Sequence, residues 1–200
     1  MIEDLADELS IRLVVNKIIP IEKRKYYTYG IELILHDLVI FLIVAAIAFI
    51  TNTLIISAIF TFCFCLLRAY TGGYHSKSYA GCYITTMVNY LSLLVFSSVL
   101  GEYKLYAGWL MIILSIPVIW RFSPVRHKNN PFDEKEKNKY KVVARILVII
   151  ISLLFVVSEL FLSDEIAFVL AWTMFATALL MLPAIILQGK EEISNEETLS

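Results

Sequence analysis

Apolar residues in this chain come in long uninterrupted runs, unlike the narrow stripes of a soluble helix. Residues 38–67 run 30 positions without Asp, Glu, Lys, Arg or His. Crossing a bilayer takes about 20 residues, with about 17 as a practical minimum. The run is too long for one span, and Thr51-Asn52-Thr53 supplies a polar turn near its middle. The pattern therefore predicts a tight hairpin, with a first span ending near Ile50 and a second running to about Leu67. To reach full length, the first span must begin near Ile31 and carry Glu32, His36 and Asp37 at its headgroup end. Further spans are predicted at 83–101, 105–120, 142–162 and 166–187, with turns at 101–104 and at Ser163-Asp164-Glu165. Ahead of them all, Ile2, Leu5, Ala6, Leu9, Leu13, Val14 and Ile18 recur at helical spacing, and Pro20 closes the stretch. That predicts an amphipathic helix, either lying in the interface or packed on the cytoplasmic side of the bundle. Both readings put it at the inner surface.

Loop charge orients the spans, because Lys and Arg accumulate on the cytoplasmic side. With the N-terminus inside, the inner segments 1–30, 68–82, 121–145 and 188–200 hold 5, 2, 8 and 1 Lys/Arg, which is 16 of the 17. Only Lys104 falls outside. The expectation is an all-α integral membrane protein of about six transmembrane helices with both termini cytoplasmic. It divides into an amphipathic segment 1–30, a membrane domain 31–187 and an acidic cytoplasmic tail 188–200. Composition agrees: 59% of residues are hydrophobic and 18% charged, against about 45–50% and about 25% for soluble domains. Residues 1–30 carry five acids and lack the apolar core of a signal peptide, so no cleavage is expected.

The first hydrophobic half is interrupted by one basic, hydroxyl- and glycine-rich stretch, residues 68–82. It holds three of the seven glycines, one of the three histidines and one of the three cysteines. His75 and Cys82 form the closest Cys–His pair in the chain, and a catalytic thiol needs a base of that kind near neutral pH. The competing reading is a small buried hydrophobe at Cys82 and no chemistry. On a continuous helix, residues seven apart share a face but are separated by about 10 Å of rise. That exceeds hydrogen-bonding reach, so a catalytic pair requires a break in the helix. Gly72, Gly73, Ser76, Ser78 and Gly81 are residues that permit one. Cys82 is expected near the N-terminal end of the third span, where a helix dipole favours thiolate. Arg68 is a candidate for stabilising an anion, and equally a phosphate anchor at the cytoplasmic surface.

Arg68-x3-Gly72-Gly73-x-His75-x6-Cys82 resembles the signature of the accessory gene regulator B family, membrane cysteine endopeptidases that process the precursor of a cyclic autoinducing peptide. The resemblance runs over about residues 31–187. It takes in the span layout and the basic loop with Pro124 and Asn130-Pro131. It implies Cys82 as nucleophile and His75 as its base, with Arg68, Gly72 and Gly73 as supporting positions. It implies a small amphipathic precursor peptide as substrate, an active site at the cytoplasmic face of the cell membrane, and a homodimer. The basic loop 121–145 reads first as a topology determinant that meets anionic lipid; beyond that, Arg126, Lys128, Lys135 and Lys137 would hold the acidic tail of such a precursor. No cofactor is implied.

Rival classes are weaker. A membrane peptide transporter without proteolytic activity is the alternative, yet the chain has no phosphate-binding Gly-x4-Gly-Lys-Ser/Thr loop and no matched pair of broken spans. A metal site drawn from His36, His75, Cys82 and His127 lacks His-Glu-x-x-His and paired cysteines. Cys63 and Cys65 are two apart and thus on different faces of one apolar helix. Glu159, near the outer end of its span, is expected to snorkel. Nucleic-acid binding has no support, since the basic residues follow topology and form no groove-binding face.

Overall fold

The computed structural model describes residues 2–72, 79–125 and 134–199, and the side chains at 33, 79–80, 82, 134–135 and 187–199 lie outside that description. Seven α-helices cover most of it: α1 Ile2–Val15, α2 Arg24–Ile50, α3 Leu54–Thr71, α4 Tyr79–Val99, α5 Lys104–Phe122, α6 Glu134–Phe161 and α7 Asp164–Leu199. By length and composition, Ile21–Ile50, Leu54–Thr71, Gly101–Phe122, Glu136–Phe161 and Asp164–Ile186 can each cross a membrane. The apolar stretch Tyr83–Val99 within α4 is the shorter sixth. The protein is an all-helical membrane protein.

The chain forms two compact units, residues 1–52 and 53–200. In the first, α1 folds back on the start of α2. Small residues make the contact, with Ala6 and Ser10 fully buried. Arg24 locks the corner, its Nη2 2.9 Å from Asp7 Oδ1 and its Nε donating to Ser10 Oγ at 3.3 Å. Lys17, in the left-handed region (φ 57), ends the helix ahead of Pro20. Leu5, Leu9, Val15 and Ile18 are left exposed. Those exposed apolar side chains suit an interfacial helix.

In the second unit α7 is the central helix. Ala167, Ala171, Met174, Ala178, Met181 and Ala184 belong to the same buried core as Leu67 of α3, Ile112 and Ile119 of α5, and Val148, Ile151 and Phe155 of α6. Small residues let helices approach closely where lipid supplies no hydrophobic drive. Gly108 shows how closely: a Cβ there would stand 3.0 Å from the Phe155 ring. Two buried hydroxyls of α7 are satisfied within the helix, Thr173 donating to Val169 O at 2.7 Å and Thr177 to Thr173 O at 2.8 Å. An unsatisfied group in hydrocarbon would cost several kcal/mol.

Two polar contacts tie α4 into this unit. Trp172 Nε1 donates to Asn89 Oδ1 at 2.9 Å, and Tyr90 OH pairs with Ser57 Oγ at 2.7 Å. Tyr90 is fully buried and also packs on the Phe60 ring. Tyr90→Phe is expected to lower stability by about 0.6–1.7 kcal/mol, the range for hydrogen bonds between membrane helices. The readout is the thermal midpoint in detergent. Adding Ser57→Ala to Tyr90→Phe should cost little more, and full additivity would show that the bond carries no coupling.

The helix breaks predicted at Thr51-Asn52-Thr53 and ahead of α5 are present, with Asn52 at φ 55 and a short 3-10 turn at Gly101–Tyr103. Ser163 caps α7, its Oγ accepting from Ile166 N, and Asp164 and Glu165 occupy the first turn. Helix ends reach beyond the predicted spans: α2 starts at Arg24, α4 at Tyr79 and α6 at Glu134. Charged and tyrosine-rich turns continue a helix readily once it leaves the hydrocarbon, so apolar runs mark the spans and not the helices.

Candidate active site

The stretch Arg68 to Cys82 begins on the last turn of α3 and ends on the first turn of α4. Gly72 stops α3. Its φ of 68° and ψ of −154° fall in a region that essentially only glycine enters, and its N–H donates to Arg68 O at 3.2 Å. From there the chain meets the segment that follows α5. Val125 N donates to Thr71 O at 2.9 Å, and Gly72 and Val125 form an isolated parallel bridge. The approach leaves no room for a side chain, since a Cβ on Gly72 would stand 2.5 Å from Val125 O. Thr71, Ser123 and Val125 are buried around this clamp, beside Leu67 and Ile119.

Neighbouring side chains complete the floor. Arg68, half-buried, places its guanidinium carbon 5.9 Å from the centre of the Phe64 ring. Tyr70 of α3 meets Tyr140 of α6, ring centres 5.6 Å apart. Thus the exit of α3, the exit of α5 and the entry of α6 converge where the Arg68–Cys82 stretch begins.

Cys82 is the fourth residue of α4, near its N-terminal end, where the helix dipole favours an anion. That is the position expected from the sequence. Arg68 and Gly72 lie together on the α3 side. His75, Gly73, Arg126 and Lys128 lie outside the described residues, as does the stretch whose departure from a straight helix the chemistry requires. Lys135 and Lys137 fall on the first turn of α6, and Lys137 is half-buried. Asp37 and Glu32 belong to α2 in the other unit. Cys63 is buried in the core and Cys65 is exposed, on different faces of α3 as their spacing predicts. Among the described residues, no three His, Cys, Asp or Glu converge as metal ligands would.

Sequence reasoning did not find Thr71 and Val125. Pro124 marked a loop, but nothing local could tell that the residue after it pairs with the glycine ending α3.

The profile of the family described as accessory gene regulator B matches residues 4–182, across both units and through the whole Arg68–Cys82 stretch. The chain belongs to the AgrB family. Among curated relatives it is 26% identical over 145 residues to an AgrB-like protein of Clostridium perfringens strain SM101, covering 70% of this chain and 68% of that one. It is 27% identical over 135 residues to an AgrB-like protein of Clostridium beijerinckii, covering 66% and 65%. A second AgrB-like protein, from C. perfringens strain 13, is 25% identical over 124 residues, covering 59% and 58%. No solved structure matches. The AgrB match begins at residue 4 and so includes α1, which the resemblance read from residues 31–187 had left out. Family membership places the chain in the processing of accessory gene regulator quorum-sensing peptides, in a membrane.

Proposed function

We propose that this AgrB protein is a membrane-embedded cysteine endopeptidase that removes the C-terminal tail of a small amphipathic precursor peptide. Cys82 is the nucleophile and His75 its base. The observation that carries the reading is the placement of Cys82 in the first turn of α4, at the end of a stretch whose start is clamped at Gly72. The active site faces the cytoplasm, a reading supported by the 16 of 17 Lys/Arg that fall in the segments assigned to that side.

The chemistry balances as follows. His75 takes the proton from Cys82 Sγ, and the thiolate adds to the carbonyl ahead of the tail. Collapse of the tetrahedral intermediate breaks the C–N bond, and His75 returns the proton to the leaving amine. The precursor is now a thioester on Cys82. A thiol or hydroxyl of the peptide attacks that thioester, closes a thiolactone or lactone ring and frees Cys82. Water must be kept away, or hydrolysis gives a linear product. A site at the membrane boundary suits that need. Arg68, Gly72 and Gly73 support the stretch, and the enzyme works as a homodimer.

Arg126, Lys128, Lys135 and Lys137 hold the acidic tail until it leaves. Exposed charges attract less as salt rises. Raising salt is expected to increase KM for the precursor several-fold while kcat holds, and a salt-independent KM would assign tail recognition to apolar contacts. The reading as a whole is tested by co-expression with a small amphipathic precursor peptide. Mass spectrometry should find the tail removed with the native chain, and intact precursor with His75→Ala or Cys82→Ala. Tail removal by both variants overturns it.

A further inference from the structure

We propose that the loop-side end of α5 and α6 binds one anionic phospholipid, its phosphate held by Arg121 and Arg145 and one acyl chain lying along α5. The site is independent of the proposed chemistry at Cys82. It starts from Pro117 inside α5, which has no N–H to donate and displaces the preceding turn. Beside it opens a groove of about 540 Å³ lined by Ile116, Pro117, Trp120 and Arg121. Its walls are almost wholly hydrocarbon, and its mouth is cationic.

Both arginines are set there by aromatic rings. Arg145 of α6 places its guanidinium carbon 4.8 Å from the centre of the Trp120 ring and donates Nη2 to Trp120 O at 3.3 Å. Arg121 has its own guanidinium carbon 5.8 Å from the centre of the Phe122 ring. Guanidinium N–H groups not engaged by protein remain for phosphate oxygens, which guanidinium binds in a fork. Among the described residues neither arginine forms an ion pair.

Below the groove the apolar track continues. Leu110, Ile113, Pro117 and Trp120 are spaced three or four apart and share one face of α5. Leu110 is 59% and Ile113 61% exposed, so no described helix of the 53–200 unit covers the track. From residue 110 to residue 120 the helix rises about 15 Å, about the depth of one leaflet. A charged head at the interface above a leaflet-deep apolar track is the shape of a phospholipid. Free phosphate would use only the top of it.

Native mass spectrometry of the full chain in detergent provides the test. The probes are palmitoyl-oleoyl phosphatidylglycerol and its phosphatidylcholine counterpart. The native chain is expected to retain one phosphatidylglycerol about tenfold or more tighter than phosphatidylcholine, since each basic residue near a surface adds attraction to anionic lipid. The double variant Arg121→Gln, Arg145→Gln should lose that preference. Ile116→Trp, which fills the groove and keeps both charges, should weaken both lipids; unchanged binding would show that no acyl chain enters. Equal retention of the two lipids by the native chain overturns the proposal. So does displacement of phosphatidylglycerol by inorganic phosphate, or by a synthetic acidic peptide, which would make this a phosphate or peptide site.

Discussion

Cys82→Ala is expected to abolish removal of the precursor tail, by at least about 10⁴-fold, while the chain stays folded and in the membrane. Removing the nucleophile of a cooperative catalytic unit costs nearly all of its rate, because the remaining groups have nothing to activate. Cys82→Ser should be inactive as well, since an imidazole that suffices to ionise a thiol leaves a hydroxyl protonated. His75→Ala should lie between native and Cys82→Ala, because a thiol retains some thiolate without its base. Rates come from mass spectrometry of precursor and product, normalised to chain recovered from membranes. A pure transporter would behave differently: Cys82→Ala would leave its transport intact, and no tail would be lost with either chain.

The second large effect is expected at Gly72. Alanine there meets two obstacles at once, a backbone conformation that other residues avoid and a carbonyl, Val125 O, 2.5 Å from its Cβ. Strain in that region costs about 1–3 kcal/mol by itself, and the clash is with backbone on the far side of the clamp. The expected destabilisation is at least about 3 kcal/mol, together with loss of processing. Gly101 is the control. It too has a positive φ, +50, but a Cβ there meets nothing within 4 Å. Gly101→Ala should cost about 1–2 kcal/mol and leave processing intact. Thermal midpoints in detergent, paired with tail removal in membranes, separate the two. Equal behaviour of both variants would mean that the Gly72–Val125 clamp does not position the site.

The architecture was legible because the bilayer writes it directly into sequence. Thirty positions without a charge, broken by Thr51-Asn52-Thr53, leave little choice about where α2 ends and α3 begins. Helix ends were less legible. The charged turns from Glu134 and the tyrosines after Arg24 lie outside the apolar runs, yet they continue α6 and α2. Cys82 illustrates the consequence: it precedes the predicted third span by one residue but is already the fourth residue of α4. Least legible was the clamp. Gly72 was read as a residue permitting a break, which it makes. That its backbone faces Val125, in a different loop, depends on how α3 and α5 pack against α7, and no local pattern encodes such a pairing. The arginines near Trp120 and Phe122 were read only as charge; the approach of Arg145 to Trp120 came from the packing of α6 against α5.

The covalent step is the most direct point of attack. Native chain mixed with precursor, quenched in acid within the first turnovers and digested, should yield the Cys82 peptide carrying the precursor without its tail, in a linkage that hydroxylamine releases. Complete tail removal with Cys82 unmodified at every time point, or an adduct on some other residue, would contradict the account.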